Sequence, residues 1–135
     1  MHGWLILCDF AEVLNGKLYI QGGGWSRFTR GADRMNVYLA SKVLVPWVDT
    51  NQRFPLSLKL VSDDGAPVVI DNHPVEIQGE FEVGRPPGLA HGTEMDVPLA
   101  FHFEGLPLPY GRYRWELQIG DSSIADVAFD VIAPS

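Results

Sequence analysis

Residues 112–119 read Arg-Tyr-Arg-Trp-Glu-Leu-Gln-Ile, an alternation of polar and apolar side chains. Successive side chains of a β-strand point to opposite faces, so this segment is typical of a strand that covers a core on one side and meets water on the other. The same period recurs in residues 75–83, 94–103 and 126–132. No window keeps a helical period through three turns without Gly or Pro. The pattern therefore predicts an all-β chain.

Other segments complete this prediction. Residues 4–12, 17–21, 36–45 and 54–62 are apolar on much of both faces, and 68–70 form a shorter apolar piece. Asn15-Gly16, Asp64-Gly65 and residues 120–123 are typical of hairpin turns. A short helical turn is expected near residues 47–52. We predict one domain over residues 1–135, an antiparallel two-sheet β-sandwich of the immunoglobulin-like, Greek-key type with about nine strands.

Composition narrows the function classes. The 135 residues are 46% hydrophobic and 20% charged, and their net charge is −7. This acidity disfavours binding to nucleic acid or to an anionic membrane, because both need clustered cations. The single cysteine, Cys8, lies in an apolar run and is predicted to be a buried hydrophobe. No leader or membrane-spanning stretch is visible, so we expect a cytoplasmic protein.

Two resemblances support the fold. Residues 109–115, with Gly111-Arg112-Tyr113-Arg114-Trp115, resemble the closing hairpin of many immunoglobulin-like sandwiches. Nearly the whole chain is similar to a family of short bacterial proteins of unknown function. The similar segments are Cys-Asp-Phe-Ala-Glu at 8–12, Gly-Gly-Gly-Trp at 22–25, Gly-Arg-Pro-Pro-Gly at 84–88 and the proline-rich 106–111. This resemblance implies a bacterial origin and a small sandwich, but no activity and no functional residues.

Catalytic, cofactor and metal motifs are absent from the sequence. Residues 22–24 are three glycines, but neither a following Lys-Ser/Thr nor a βαβ context makes them a phosphate loop; a bulge or a close backbone approach is expected there. No Gly-x-Ser-x-Gly elbow occurs. The four histidines lack the spacing of metal pairs; they are His2, His73, His91 and His102. We therefore expect no enzyme, no cofactor and no metal site.

Surface recognition has four candidate residues. Trp25 and Trp47 stand beside Gly and Pro in loop-like contexts, whereas Trp4 and Trp115 have the apolar surroundings of core residues. Arg85 and His91 belong to the longest irregular stretch, 84–92, and loops on a rigid scaffold often carry binding residues. The alternative is structural: tryptophans seal the ends of sandwiches, and a crossover between sheets needs such a loop.

Our leading functional prediction is a non-enzymatic protein-interaction or assembly module. Residues 4–10 and 36–45 are apolar on both faces, and a two-layer sandwich covers only one face of each strand. Loop 28–34 is too polar to cover the other, so a protein partner or a second subunit is expected, most simply in a twofold dimer. The first alternative is a sandwich that binds carbohydrate or another small ligand, with two exposed tryptophans in one groove. A small hydrolase on the same scaffold is the second.

Overall fold

The computed structural model describes residues 1–31 and 34–135; Ala32 and Asp33, from the loop predicted to be too polar to serve as a cover, lie outside the described residues. The described residues form eleven strands, separated by turns and loops. The strands are β1 (His2–Leu14), β2 (Lys17–Gly23), β3 (Arg27–Thr29), β4 (Met35–Val45), β5 (Arg53–Ser62), β6 (Val69–Ile70), β7 (His73–Pro74), β8 (Glu76–Glu82), β9 (Met95–Leu106), β10 (Gly111–Ile119) and β11 (Ser122–Ile132). The expected helical turn is a 3₁₀ turn over Trp47–Asp49. In the described part of the chain, no helix has the length and apolar character needed to cross a membrane.

The strands form two main sheets. One has the order β2-β1-β4-β9, the other β3-β11-β10-β5-β8, and β6 and β7 make a separate two-stranded ribbon. This confirms the prediction of an all-β fold in sandwich-like antiparallel sheets. The prediction of about nine strands is close to the nine strands of the two main sheets. The three-residue β3 and the two-residue β7 are not among the predicted segments, because they are too short to show alternation. The pair β3–β11 is parallel, which the prediction of wholly antiparallel sheets did not include.

The main core lies between these sheets. Alternate residues of β10 point into it, and Tyr113, Trp115, Leu117 and Ile119 are all buried, as the pattern of residues 112–119 predicts. Leu39 and Val43 of β4 supply side chains from the opposite sheet. Two of the three turns predicted from sequence join paired strands, β1 with β2 and β10 with β11, and the second of these is shorter than expected because β11 already begins at Ser122. The turn at Asp64-Gly65 follows β5 but is closed only by an isolated bridge between Val61 and Pro67, so the hairpin predicted there does not extend into paired strands.

Five connections carry the chain between the two main sheets. The loop after β8 is one of them, in agreement with the crossover expected for residues 84–92. Another connects β9 to β10, where the Tyr113 hydroxyl donates a 2.7 Å hydrogen bond to the Pro109 carbonyl oxygen. Such a tyrosine corner is a feature of Greek-key sandwiches. The assignment to the immunoglobulin-like class stays a prediction.

Candidate interaction surface

The β1–β2 hairpin folds over the outer face of the four-stranded sheet. Residues 2–8 of β1 pair with β4, whereas residues 8–14 pair with β2, so the two halves of one long strand have different neighbours. β2 and β9 stand at opposite ends of the sheet order, yet they approach one another. The sheet is therefore curled, and its concave side faces away from the main core.

A second, smaller core fills this concave side. Ala40 of β4 is paired with Ala100 of β9, and their small side chains leave room for the hairpin. Ala11 from the hairpin is buried with Cys8 and Ala40, and Leu18 packs against them. The chain thus covers part of its own apolar outer face. The expectation that this face needs a second subunit is incomplete, because sequence patterns did not show that the hairpin folds back.

The hairpin still leaves apolar side chains in contact with solvent. Ten large hydrophobic residues of the described chain are exposed, and five of them belong to β1 and β2. We call these five the hairpin surface: Trp4, Val13, Leu14, Tyr19 and Ile20. Monomers commonly expose single apolar residues, but several exposed apolar residues on one hairpin are typical of an interaction site.

A groove of about 290 Å³ opens between the hairpin and the sheet. Leu18 and Ile20 line one side and Pro98 the other, and an ion pair lies at the wall, where Lys42 Nζ is 3.4 Å from Asp96 Oδ1. Trp4 also lines this groove and is 42% exposed, so its interpretation as a core residue is wrong. The sequence signal was the period: Trp4 alternates with the buried Leu5 and Leu7.

Three of the four candidate recognition residues meet at another place. The Arg85 guanidinium lies 4.1 Å from the ring centre of Trp47, and the His91 ring stands edge-on to the same indole at 4.9 Å. Arg85 also donates from Nε to the Thr50 hydroxyl and from Nη2 to the Trp47 carbonyl oxygen at 2.9 Å. These contacts tie the crossover loop to the 3₁₀ turn, so much of the binding capacity of Arg85 is used within the chain.

Trp25 lies apart from that cluster and has a structural neighbourhood. Its Nε1 donates a 3.1 Å hydrogen bond to Asp9 Oδ1, and its half-buried ring packs at the margin of the main core. Gly22 has φ +59°, and a Cβ there would collide with the Asp9 carboxylate. The glycine run therefore does allow a close approach, as predicted, with the Asp9 side chain as the group that approaches. The contacts of Trp25 are with Asp9 and Phe28, whereas those of Trp47 are with Arg85 and His91.

Cys8 lies in the second core, and His102 lies beside it. Burial, followed by the nearby Asp9 carboxylate, raises the pKa of the Cys8 thiol, which favours the unreactive protonated form. His102 is exposed and stacks on Tyr38, with ring centres 3.9 Å apart. Within residues 1–31 and 34–135, no three His, Cys, Asp or Glu side chains are grouped so that they could hold a metal ion.

Comparison with known proteins gives the family. The sequence profile of a family of unknown function, DUF6941, matches residues 3–132. The chain belongs to DUF6941. This confirms the resemblance to a family without known function. The matched segment of the DUF6941 chain includes every described strand except for His2, the first residue of β1. No curated protein matches the sequence.

Proposed function

We propose that this DUF6941 protein is a non-enzymatic assembly module that associates with a second copy of itself through the hairpin surface. The observation that carries the proposal is the concentration of half of the exposed large hydrophobic residues on a single β-hairpin. Burying apolar area is the main favourable term in protein association, and a stable interface needs roughly 800 Å² from each partner. A projecting hairpin beside an open groove offers both a convex and a concave part to such an interface.

Sedimentation equilibrium tests this proposal. We expect the natural chain to form dimers in the micromolar range and the double variant Tyr19→Lys/Ile20→Lys to associate at least about a hundredfold more weakly, a loss of roughly 2.7 kcal/mol. Both side chains are exposed, so the variant should keep its fold. The matched control is Val48→Lys/Val69→Lys, which makes the same change of charge at exposed residues away from the hairpin.

Two results would contradict the proposal. One is a natural chain that remains monomeric at high micromolar concentration. The other is an equal loss of association in the hairpin variant and in the control variant, because this would attribute the loss to net charge.

The groove supports a second candidate, the binding of a small ligand with an apolar body. Its lining combines Trp4, Leu18 and Ile20 with the single ion pair of Lys42 and Asp96. Ligand sites commonly join apolar walls to a few polar groups that fix orientation. An apolar dye with an acidic group, such as an anilinonaphthalene sulfonate, should bind the natural chain and lose affinity in Trp4→Ala. Equal binding by both would remove this candidate.

A further inference from the structure

The ends of the two main sheets differ in how they are protected against pairing with another chain. An edge strand presents unpaired backbone N–H and C=O groups, and proteins protect such edges with short strands, charged side chains or proline. The four edge strands here are β2, β9, β3 and β8. Which of them lacks protection can be read from length and composition.

Three of these edges carry a protective feature. β3 is only three residues long, and β8 carries Glu76, Glu80 and Glu82. β9 contains Pro98 and the charged residues Asp96 and Glu104. By contrast, β2 has seven residues and no proline, Lys17 is its one charged residue, and every residue except Leu18 is exposed. Among the four terminal strands of the two main sheets, β2 is the one that lacks these protective features.

The sequence of β2 is suited to pairing with itself. Residues 17–21 read Lys-Leu-Tyr-Ile-Gln, and the chemical classes run in the same order from either end: polar, aliphatic, aromatic, aliphatic, polar. Glycines with positive φ flank this stretch, Gly16 at +73° in the preceding turn and Gly22 at +59° near the end of β2. The segment that can extend a sheet thus has Tyr19 at its centre.

We propose that two copies of the chain pair their β2 strands antiparallel about a twofold axis at Tyr19, which joins two four-stranded sheets into one of eight strands. The inference rests on the assembly function proposed above and specifies its contact. In this register Tyr19 lies opposite the partner's Tyr19, and Leu18 lies opposite the partner's Ile20 on the face of the groove. Aromatic and aliphatic cross-strand pairs stabilise a sheet.

The alternatives for a twofold pair are less favourable. Directly opposed side chains of two paired strands lie on the same face of the sheet, whereas successive residues of one strand lie on opposite faces. A twofold axis perpendicular to the sheet must therefore pair one residue with the same residue of the partner. Moving the axis to Leu18 puts Ile20 opposite the partner's Gly16, and moving it to Ile20 puts Leu18 opposite the partner's Gly22. In the register at Tyr19, Lys17 meets the partner's uncharged Gln21, so no like charges are opposed.

Disulfide trapping tests this contact. Directly opposed residues of an antiparallel pair have Cα atoms about 4.5–5.5 Å apart, which falls within disulfide reach. Under oxidised glutathione, Tyr19→Cys should give about tenfold more covalent dimer than Leu14→Cys, whose exposure at the tip of the same hairpin is similar, 52% against 48%. The natural chain, with only the buried Cys8, sets the background. In addition, Lys17→Cys should cross-link with Gln21→Cys in a mixture and not with itself.

The outcomes separate the contact from the assembly. Strong trapping by Tyr19→Cys and by the mixed pair supports the inference. Equal trapping of Tyr19→Cys and Leu14→Cys, in a chain that sedimentation shows to be dimeric, overturns the β2 contact and leaves the assembly function in place. A natural chain that is monomeric at high micromolar concentration, with trapping at the background level, overturns both.

Discussion

Truncation of Trp115 is expected to destabilise the fold strongly. The side chain is completely buried, and its ring centre lies 4.5 Å from that of Phe103 in the opposite sheet and 6.5 Å from that of Phe129. A buried indole removes roughly 200 Å² from water. At about 25 cal/mol per Å², this area corresponds to roughly 5 kcal/mol, an upper value for what Trp115→Ala could lose through transfer alone.

The indole N–H reduces this value. Trp115 Nε1 is buried and has no hydrogen-bond partner among the described residues. An unpaired buried donor costs about 1–3 kcal/mol, and truncation relieves that cost. We therefore expect Trp115→Ala to lower the free energy of unfolding by about 3–4 kcal/mol, inside the usual range for large aromatic residues. Trp115→Phe keeps the ring contacts and removes the unpaired N–H, so its net change should stay within about 1 kcal/mol.

Urea denaturation at neutral pH measures both changes. The control is Arg114→Ala on the opposite face of β10, where Arg114 Nε lies 3.4 Å from Glu116 Oε2. An ion pair at the surface contributes little, so this control should cost under about 1 kcal/mol. If Trp115→Phe and Trp115→Ala lost the same free energy, the indole N–H would have a partner and the reasoning would be refuted. If Arg114→Ala matched Trp115→Ala, the assignment of faces would be wrong.

Three further substitutions test individual contacts. Ser41 is fully buried and its hydroxyl has no partner among the described residues, so Ser41→Ala should stabilise the fold by about 0.5–2 kcal/mol, and a lower urea midpoint would contradict this. Tyr113→Phe removes the hydrogen bond to Pro109 and should cost about 1 kcal/mol at neutral pH. Burial raises the pKa of Tyr113 above its ordinary value of 10.0. The contribution of this group to stability is therefore complete below pH 10.0 and is lost as the pH rises through the folded pKa. Thermal melts at alkaline pH should show that loss in the natural chain and not in Tyr113→Phe. Gly22→Ala should cost about 1–2 kcal/mol because of its positive φ and the Asp9 carboxylate, whereas Gly79→Ala, with open space at its Cβ, should cost less.

The alternation of polar and apolar residues predicts those strands that have the core on one face and solvent on the other. β8 and β10 have one apolar face toward the core and one polar face toward water, and their bounds follow from sequence to within one or two residues. For β11 the alternation predicts a start at Asp126, four residues late, because Ser122 and Ser123 have the composition of turn residues. The strand in fact begins directly after a two-residue turn formed by Gly120 and Asp121.

Long-range placement could not be predicted in the same way. Trp47, Arg85 and His91 were selected one by one from loop contexts, and nothing in their spacing indicates that the three side chains meet. Their contact depends on a crossover loop and a 3₁₀ turn at the same end of the sandwich. Trp4 was assigned to the core because its sequence neighbours are apolar, although period two places it on the opposite face from Leu5 and Leu7.

The folded-back hairpin changes where an assembly contact should be sought. Sequence patterns suggested that an uncovered sheet face requires a partner, but Ala11 and Leu18 already cover the small residues Ala40 and Ala100 of that face. What remains open is the outer side of the cover and its free edge. A strand that packs one face against Ala40 is held in an extended conformation, so it would lose less entropy on pairing than a mobile segment would. The two alanines on which the hairpin packs therefore preorganise β2. Ala40→Leu would displace the hairpin from the sheet, so this substitution should weaken association in sedimentation equilibrium even though residue 40 itself is buried.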